Sequence, residues 1–249
     1  MATSQQVRPK HHRARICVAL DTKDAHAAAA LAKRLAEADA TDFVKVGMEL
    51  FYAAGPEGYA KVAQAGLPVF LDLKLHDIPN TVAEGLRSLL RFSPPPAIVN
   101  VHASGGAAML RAAAEAVSGR AKLVAVTVLT ALGEDDLSVI GLAGPPRTAV
   151  LRLARLAKAC GLHGVVCSPQ EVADIRAALG EDFLTIVPGI RPAGAGLDDQ
   201  KRAATPEAAQ AAGADILVIG RPITQAADPV TAAREIRAAL EAASSQAID

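Results

Sequence analysis

"ICVALDTKDAHAAAALAKRLAEAD", residues 16–39, begins with a short apolar run and passes through "ALDTKDA" (19–25) into an Ala- and Leu-rich stretch of helical character. A strand leading directly into a helix is half of a crossover unit, the connection that parallel strands require. The turn between the two contains no glycine. A doubly wound open sheet usually announces itself by a Gly-rich nucleotide fingerprint at this first turn, so the opening unit weighs against that architecture.

The same unit recurs to the end of the chain. "FVKV" (43–46) precedes a helical stretch from Met48 to Ala65, "PVFLDLKL" (68–75) precedes "TVAEGLRSLLRF", and "AIVNV" (97–101) precedes "GGAAMLRAAAEAV". "KLVAVTVL" (122–129) leads through a loop containing "AGPP" to "AVLRLARLAKAC", and "GVVCS" (164–168) leads to "PQEVADIRAAL". "FLTIVPGI" (183–190) leads through a Gly-rich loop to "TPEAAQAAG", and "DILVIG" (215–220) leads to "DPVTAAREIRAALEAA". Eight strand-then-helix units without a linker-like break predict an α/β fold, a single (β/α)8 TIM barrel over residues 16–243. Residues 1–15 are expected to form a disordered basic leader and 244–249 a flexible tail.

Composition narrows the function. The chain has 249 residues, 51% of them hydrophobic, enough for one large core. Its formal net charge is zero, so no long-range attraction to nucleic acid or an anionic membrane is expected, and any bound anion must be held by a local site. Cys17, Cys160 and Cys167 are an odd count without framework spacing and read as reduced thiols of a cytoplasmic protein. Cys17, inside an apolar strand, and Cys167, at a strand end, read as packing. No apolar run is long enough to span a bilayer. "MATSQQVRPKHHRAR" has no apolar h-region and is not a secretory signal.

The polar residues that interrupt the strands collect at their C-terminal ends, where (β/α)8 barrels place their sites. Asp21 closes strand 1, Lys45 lies between Val44 and Val46 in strand 2, and Asp72 and Lys74 lie in strand 3. Thr130 follows strand 5, Arg191 follows strand 7, and Gly220-Arg221 closes strand 8. Side chains alternate along a strand, so Leu71, Leu73 and Leu75 can face the helices while Lys45, Asp72 and Lys74 point into the barrel mouth. A purely stabilising ion-pair network is the alternative, but apolar packing would serve stability better. Loops after strands 7 and 8 frequently build phosphate sites in such barrels. "PGIRPAGAGLDDQKR" (188–202) offers close-approach glycines, Arg191 and Gln200, and "IGRPITQ" (219–225) offers the Gly220 N–H and the Arg221 fork.

"FLDLKLHDIPNTV" (70–82) resembles the signature of the orotidine 5′-monophosphate decarboxylase family, which completes UMP synthesis. The D-x-K-x-x-D core is shared with barrel lyases acting on sugar phosphates; Ile78-Pro79-Asn80-Thr81 is the discriminating part. "VNVHASGG" (99–106), "AVTVLT" (125–130), "GVVCS" (164–168), "PGIRP" (188–192) and "GRPIT" (220–224) match the bacterial branch, from about Arg15 to about Leu240. The loop "AGAGLDDQ" (193–200) is only loosely like its counterparts.

The resemblance implies decarboxylation without metal or other cofactor, with Lys74 as proton donor to C6 of the pyrimidine. Lys45, Asp72 and Lys74 resemble three members of an alternating charge array. Asp77 resembles the fourth, which crosses into the neighbouring subunit's site together with Ile78 and Thr81, so a homodimer is implied. Asp21 and Lys45 match ribose-binding positions, Thr130 a pyrimidine contact, and Arg191, Gln200, Gly220 and Arg221 a phosphate grip. The rivals are a Mg²⁺-dependent lyase acting on a sugar phosphate and a non-catalytic nucleotide-binding protein on the same barrel. His76 and His102 lack the spacing of a complete metal set, and His76 reads as a structural hydrogen-bonding residue.

Overall fold

The β-branched and apolar runs become eight parallel strands: β1 (Arg15–Ala19), β2 (Phe43–Gly47), β3 (Val69–Leu75), β4 (Ile98–His102), β5 (Lys122–Val126), β6 (Gly164–Val166), β7 (Leu184–Val187) and β8 (Ile216–Ile219). They pair in chain order and close, β8 hydrogen bonding back to β1. The computed structural model describes residues 13–142, 144–192 and 204–246. Outside the barrel lie α1 (Ala25–Glu37), α2 (Met48–Ala63), α3 (Pro79–Leu89), α4 (Gly106–Val117), α5 (Glu134–Val139), α6 (Pro146–Ala159), α7 (Val172–Leu179), α8 (Pro206–Ala211), α9 (Arg221–Thr224) and α10 (Pro229–Gln246). Among the described residues, no helix is long and apolar enough to cross a membrane.

Two apolar shells follow from strand alternation. Ile16, Val18, Val44, Val46 and Leu71 face outward onto Leu35, Leu86 and Leu110 of the helices. Cys17, Phe43, Phe70, Ile98, Val124 and Ile216 face inward and fill the barrel. The same parity delivers the site: two residues beyond Phe43 is Lys45, and two beyond Phe70 is Asp72. All three cysteines are buried, as packing predicts.

The element limits differ from the sequence expectation where local chemistry intervenes. The expected strand 183–190 stops at Val187, because Pro188 has no N–H to donate. The stretch after β5, expected as a loop, contains α5, whose first turn carries Glu134, Asp135 and Asp136. Carboxylates there complement the exposed N–H groups of a helix start, and Asp136 Oδ2 accepts the Gly133 N–H at 2.8 Å.

The expected leader over 1–15 is corrected at its inner end. Ala14 is buried and Arg15 begins β1. Arg13 donates to both oxygens of Asp42 at 2.8 and 3.0 Å. Asp42 also accepts the Ile16 N–H at 2.7 Å. Burial would push the Asp42 carboxyl up, but Arg13 and the Ile16 amide outweigh it and hold it below the usual range. Residues 1–12 lie outside the described residues. At the other end, α10 continues past the expected limit of 243 to Gln246. Gln210 Nε2 ties this turn down by donating to Leu240 O and Ser244 Oγ at 2.9 and 3.1 Å.

The barrel's N-terminal face is locked by Arg176 of α7. It is buried and donates to Gly213 O at 2.9 Å, Phe183 O at 2.8 Å and Thr185 Oγ1 at 3.0 Å, and it pairs with Asp215. Removing one partner of a buried pair strands the other charge. Arg176→Leu is therefore expected to cost about 3 kcal/mol of folding free energy, measured by urea unfolding. A loss under about 1 kcal/mol would show that the guanidinium is not a lock.

Candidate active site

At the C-terminal rim, β1 to β3 bring four charges into a row of alternating sign. Lys45 Nζ lies 2.8 Å from Asp21 Oδ1 and 3.4 Å from Asp72 Oδ2. Lys74 Nζ lies 2.7 Å from Asp72 Oδ1. Lys45 and Asp72 are both buried. Burial pulls Lys45 down, but Asp72 and Asp21 outweigh it, and its ammonium is held above the ordinary lysine range. Gly47, at the end of β2, leaves room for this pairing. A Cβ there would come within 2.6 Å of Lys45 Nζ and 3.0 Å of Asp21 Oδ1.

Asp72 and Lys74 converge by a different route from the regular alternation expected of β3. Two residues of regular strand rise by roughly 6.6 Å. Here Leu71 pairs with Val99 and Leu75 with Val101, so three β3 residues face the single β4 residue Asn100. Within this bulge Lys74 has φ 53°, a left-handed conformation that costs a non-glycine residue roughly 1–2 kcal/mol. Asn100, fully buried, spans the gap. Its Oδ1 accepts the Lys74 backbone N–H at 2.8 Å and its Nδ2 donates to Asp72 Oδ1 at 2.7 Å. The sequence reading passed over Asn100. Its one available signal was a polar side chain at an inward position of the apolar run "AIVNV".

Two cavities meet at the lysines. A slot of about 160 Å³ is bounded by Phe70, Val126, Val128, Thr130, Cys167 and Pro188, with Lys45, Asp72 and Lys74 at one end. Beyond them, a cleft of about 610 Å³ is bounded by Asp21, Glu49, Arg191, Gly220 and Arg221. The first is largely apolar; the second is more polar, with Arg191 and Arg221 alongside Asp21 and Glu49. Arg191 is buried and donates to Ile190 O at 3.0 Å. Its backbone N–H donates to Ala204 O at 2.9 Å, and the Ala204 N–H to Gly189 O at 3.3 Å. This isolated bridge joins Ile190 and Ala204. Gln200 lies outside the described residues.

The structure thus brings together Asp21, Lys45, Asp72, Lys74, Thr130, Arg191, Gly220 and Arg221. It does not bring Asp77, Ile78 or Thr81 to them within one chain. All three are exposed, Ile78 to 66%, and Asp77 Oδ1 accepts the Ile78 N–H at 2.7 Å. His76 packs against His102 with ring centroids 5.4 Å apart. Burial, then the neighbouring His76 and Lys74, hold His102 below its ordinary value. Among the described residues no group of three or more metal-ligating side chains occurs.

Fold and rim together define a (β/α)8-barrel enzyme with its site at the C-terminal ends of the strands. Residues 14–236 match the family described as Orotidine 5′-phosphate decarboxylase / HUMPS, and the chain belongs to that family. It is similar to the orotidine 5′-phosphate decarboxylase of Anaeromyxobacter dehalogenans, 52% identical over 226 residues that cover 91% of this chain and 98% of the relative. It is 54% identical over 232 residues to that of Halorhodospira halophila, covering 92% and 97%. The crystal structure of orotidine 5′-phosphate decarboxylase from Lactobacillus acidophilus superposes with a TM-score of 0.77 at 39% identity, covering 92% of this chain and 99% of that one.

The charge row makes a direct electrostatic prediction. In Asp72→Asn, burial works on Lys45 against one carboxylate fewer, so its ammonium is expected to lose its proton at a lower pH than in the parent. The check is a pH titration of the Lys45 side-chain NMR signal. An unchanged or higher midpoint would show that Asp72 does not hold the charge.

Proposed function

We propose that the chain converts orotidine 5′-monophosphate to UMP and CO₂, the last step of de novo pyrimidine synthesis, by direct electrostatic stabilisation of a C6 carbanion. The observation that carries this reading is the Lys74 ammonium, 2.7 Å from Asp72, at the junction of the apolar slot and the Arg221 cleft. The curated relatives of about half-identical sequence, all described as orotidine 5′-phosphate decarboxylases, support the substrate.

With the pyrimidine in the slot and the phosphate in the cleft, the C6–carboxylate bond breaks and its electron pair stays on C6. That orbital lies in the ring plane, so no π system delocalises it. Fixed charges must do so, and groups already oriented need no reorganisation as charge develops. Lys74 supplies the nearest ammonium and then gives its proton to C6; solvent restores the lysine. Asp72 keeps Lys45 and Lys74 charged and aimed.

The reading calls on no metal or coenzyme. Both Asp72 oxygens already receive donors from Lys45, Lys74 and Asn100, which leaves the carboxylate poorly disposed toward the Mg²⁺ of a sugar-phosphate lyase.

The phosphate grip of Arg191, Gly220, Arg221 and Gln200 supplies binding energy remote from the reacting carbon, which can be spent on orientation and closure. The active species is a homodimer. Asp77, Ile78 and Thr81 reach the partner's site and Asp77 completes the array. The support within the chain is their exposure.

Lys74→Ala is expected to remain folded and bind UMP but to show no measurable decarboxylation, followed by the loss of orotate absorbance. Normal turnover by that variant ends the proton-donor assignment. Arg221→Ala, with Lys74 intact, is expected to lower kcat/KM by about 3 kcal/mol, the worth of a charge-assisted hydrogen bond. An unchanged value refutes the grip. Chelator is expected to leave the parent rate unaltered, whereas a Mg²⁺-dependent lyase would be silenced.

A further inference from the structure

We propose that Asn100 is a positioning residue for the reaction: it holds the β3 bulge in the form that places the Lys74 ammonium on Asp72. The inference rests on the reading of Lys74 and Asp72 as the reacting pair and extends it to a residue on the next strand.

The geometry allows few other side chains to do this. The bulge removes the partner that a regular ladder would give the Lys74 N–H, and Asn100 Oδ1 takes its place at 2.8 Å. The other end of the same amide donates to Asp72 Oδ1 at 2.7 Å, the oxygen that also receives Lys74 Nζ. The orientation of the amide is fixed by chemistry. A backbone N–H needs an acceptor and a carboxylate needs a donor, so exchanging the amide O and N would break both contacts. Asn100 therefore ties the backbone of the lysine and the side chain of its counter-ion to one rigid plane. A leucine of similar shape offers neither bond, and alanine leaves the Lys74 N–H and the Asp72 oxygen one partner short in a buried place.

Aspartate at this position would be isosteric and provides the decisive probe. Ionised, it would accept from the Lys74 N–H yet set a second negative charge against Asp72. Protonated, its hydroxyl would donate to Asp72 while its carbonyl accepts from Lys74, reproducing both bonds of the amide. Two carboxylates in contact share a proton and titrate as a pair, with one value raised. The charged and titratable groups around this point are Asp72 and Lys74 on β3, Lys45 on β2 beyond Asp72, and His102 on β4 with His76 packed against it. On the β5 side the register partner is Val124, which is apolar.

The test is steady-state decarboxylation across pH by the parent, Asn100→Ala and Asn100→Asp, alongside UMP affinity and thermal unfolding. Asn100→Ala is expected to lose on the order of 100-fold in kcat, the cost of a reacting group misplaced by about an ångström, while UMP affinity changes only a few-fold because the phosphate cleft is untouched. Asn100→Asp is expected to be similarly slow at neutral pH and to recover kcat, relative to the parent at each pH, as the pH falls; Asn100→Ala should show no such recovery. If Asn100→Ala does not fold, the isosteric aspartate variant carries the test alone. A folded Asn100→Ala with parental kcat, or an Asn100→Asp profile parallel to the parent's, overturns the proposal. The parent and Lys74→Ala controls keep the two readings apart: an active parent and an inactive Lys74→Ala uphold the function whatever Asn100 does.

Discussion

The Asp72 carboxylate is the point through which the rim is organised. It lies in a barrel whose interior is otherwise filled by Phe43, Phe70, Ile98 and Val124, and a carboxylate there is costly unless its oxygens are met by donors. Lys45, Lys74 and Asn100 meet them from three adjacent strands. Each partner in turn needs Asp72: Lys45 to stay charged despite burial, Lys74 to be oriented, Asn100 to satisfy its amide. Taking away any one group leaves another stranded. The strands that carry them are thus held to the register at which the charges meet.

Much of this was legible in the sequence, for reasons that differ by element. The barrel could be read because each strand alternates and each crossover helix begins within a few residues of its strand. The glycine-free turn "ALDTKDA" then removed the competing sheet. Lys45 and Asp72 could be read because a charge at an inward position of an apolar strand has few explanations. Asn100 was not legible with the same force, because a neutral amide in a strand is far less costly than a charge. The bulge in "LDLKL" was invisible: nothing in those five residues shows Lys74 leaving the β region, since the cause lies across the ladder on β4. Arg13 and Ala14 look like part of a polar tail until Asp42 and Gln210 are brought against them.

The two ends of the barrel divide the work. At the N-terminal face, Arg176 spends its donors on carbonyls, Thr185 and Asp215, gathering loop ends around a buried charge. A cavity of about 600 Å³ borders this end too, but the guanidinium's donors are spent on structural partners. At the C-terminal face the charges are also paired, and there Lys45 and Lys74 stand where a slot and a cleft meet. The left-handed Lys74 and the bulge around it are the departures from regular geometry that a stability-driven strand would avoid. Strain at a place where side chains converge on a cavity is the pattern expected when geometry serves chemistry.

The proposed reaction also gives the alternating signs a purpose beyond pairing. In the substrate the negative charge would sit on the carboxylate, beside Asp72; two like charges about 4 Å apart repel by about 4 kcal/mol at an effective dielectric near 20. As CO₂ leaves, that charge would move onto C6, toward Lys74. Repulsion would fall and attraction grow along the same coordinate, so the row would favour the transition state over the bound substrate through both partners of one ion pair. Only interactions that strengthen between ground and transition state accelerate a reaction. A lysine alone would bind both forms; a lysine set against an aspartate distinguishes them by where the charge lies. That discrimination depends on the sub-ångström placement of the two groups relative to each other, which is why an uncharged amide on the neighbouring strand bears on the rate.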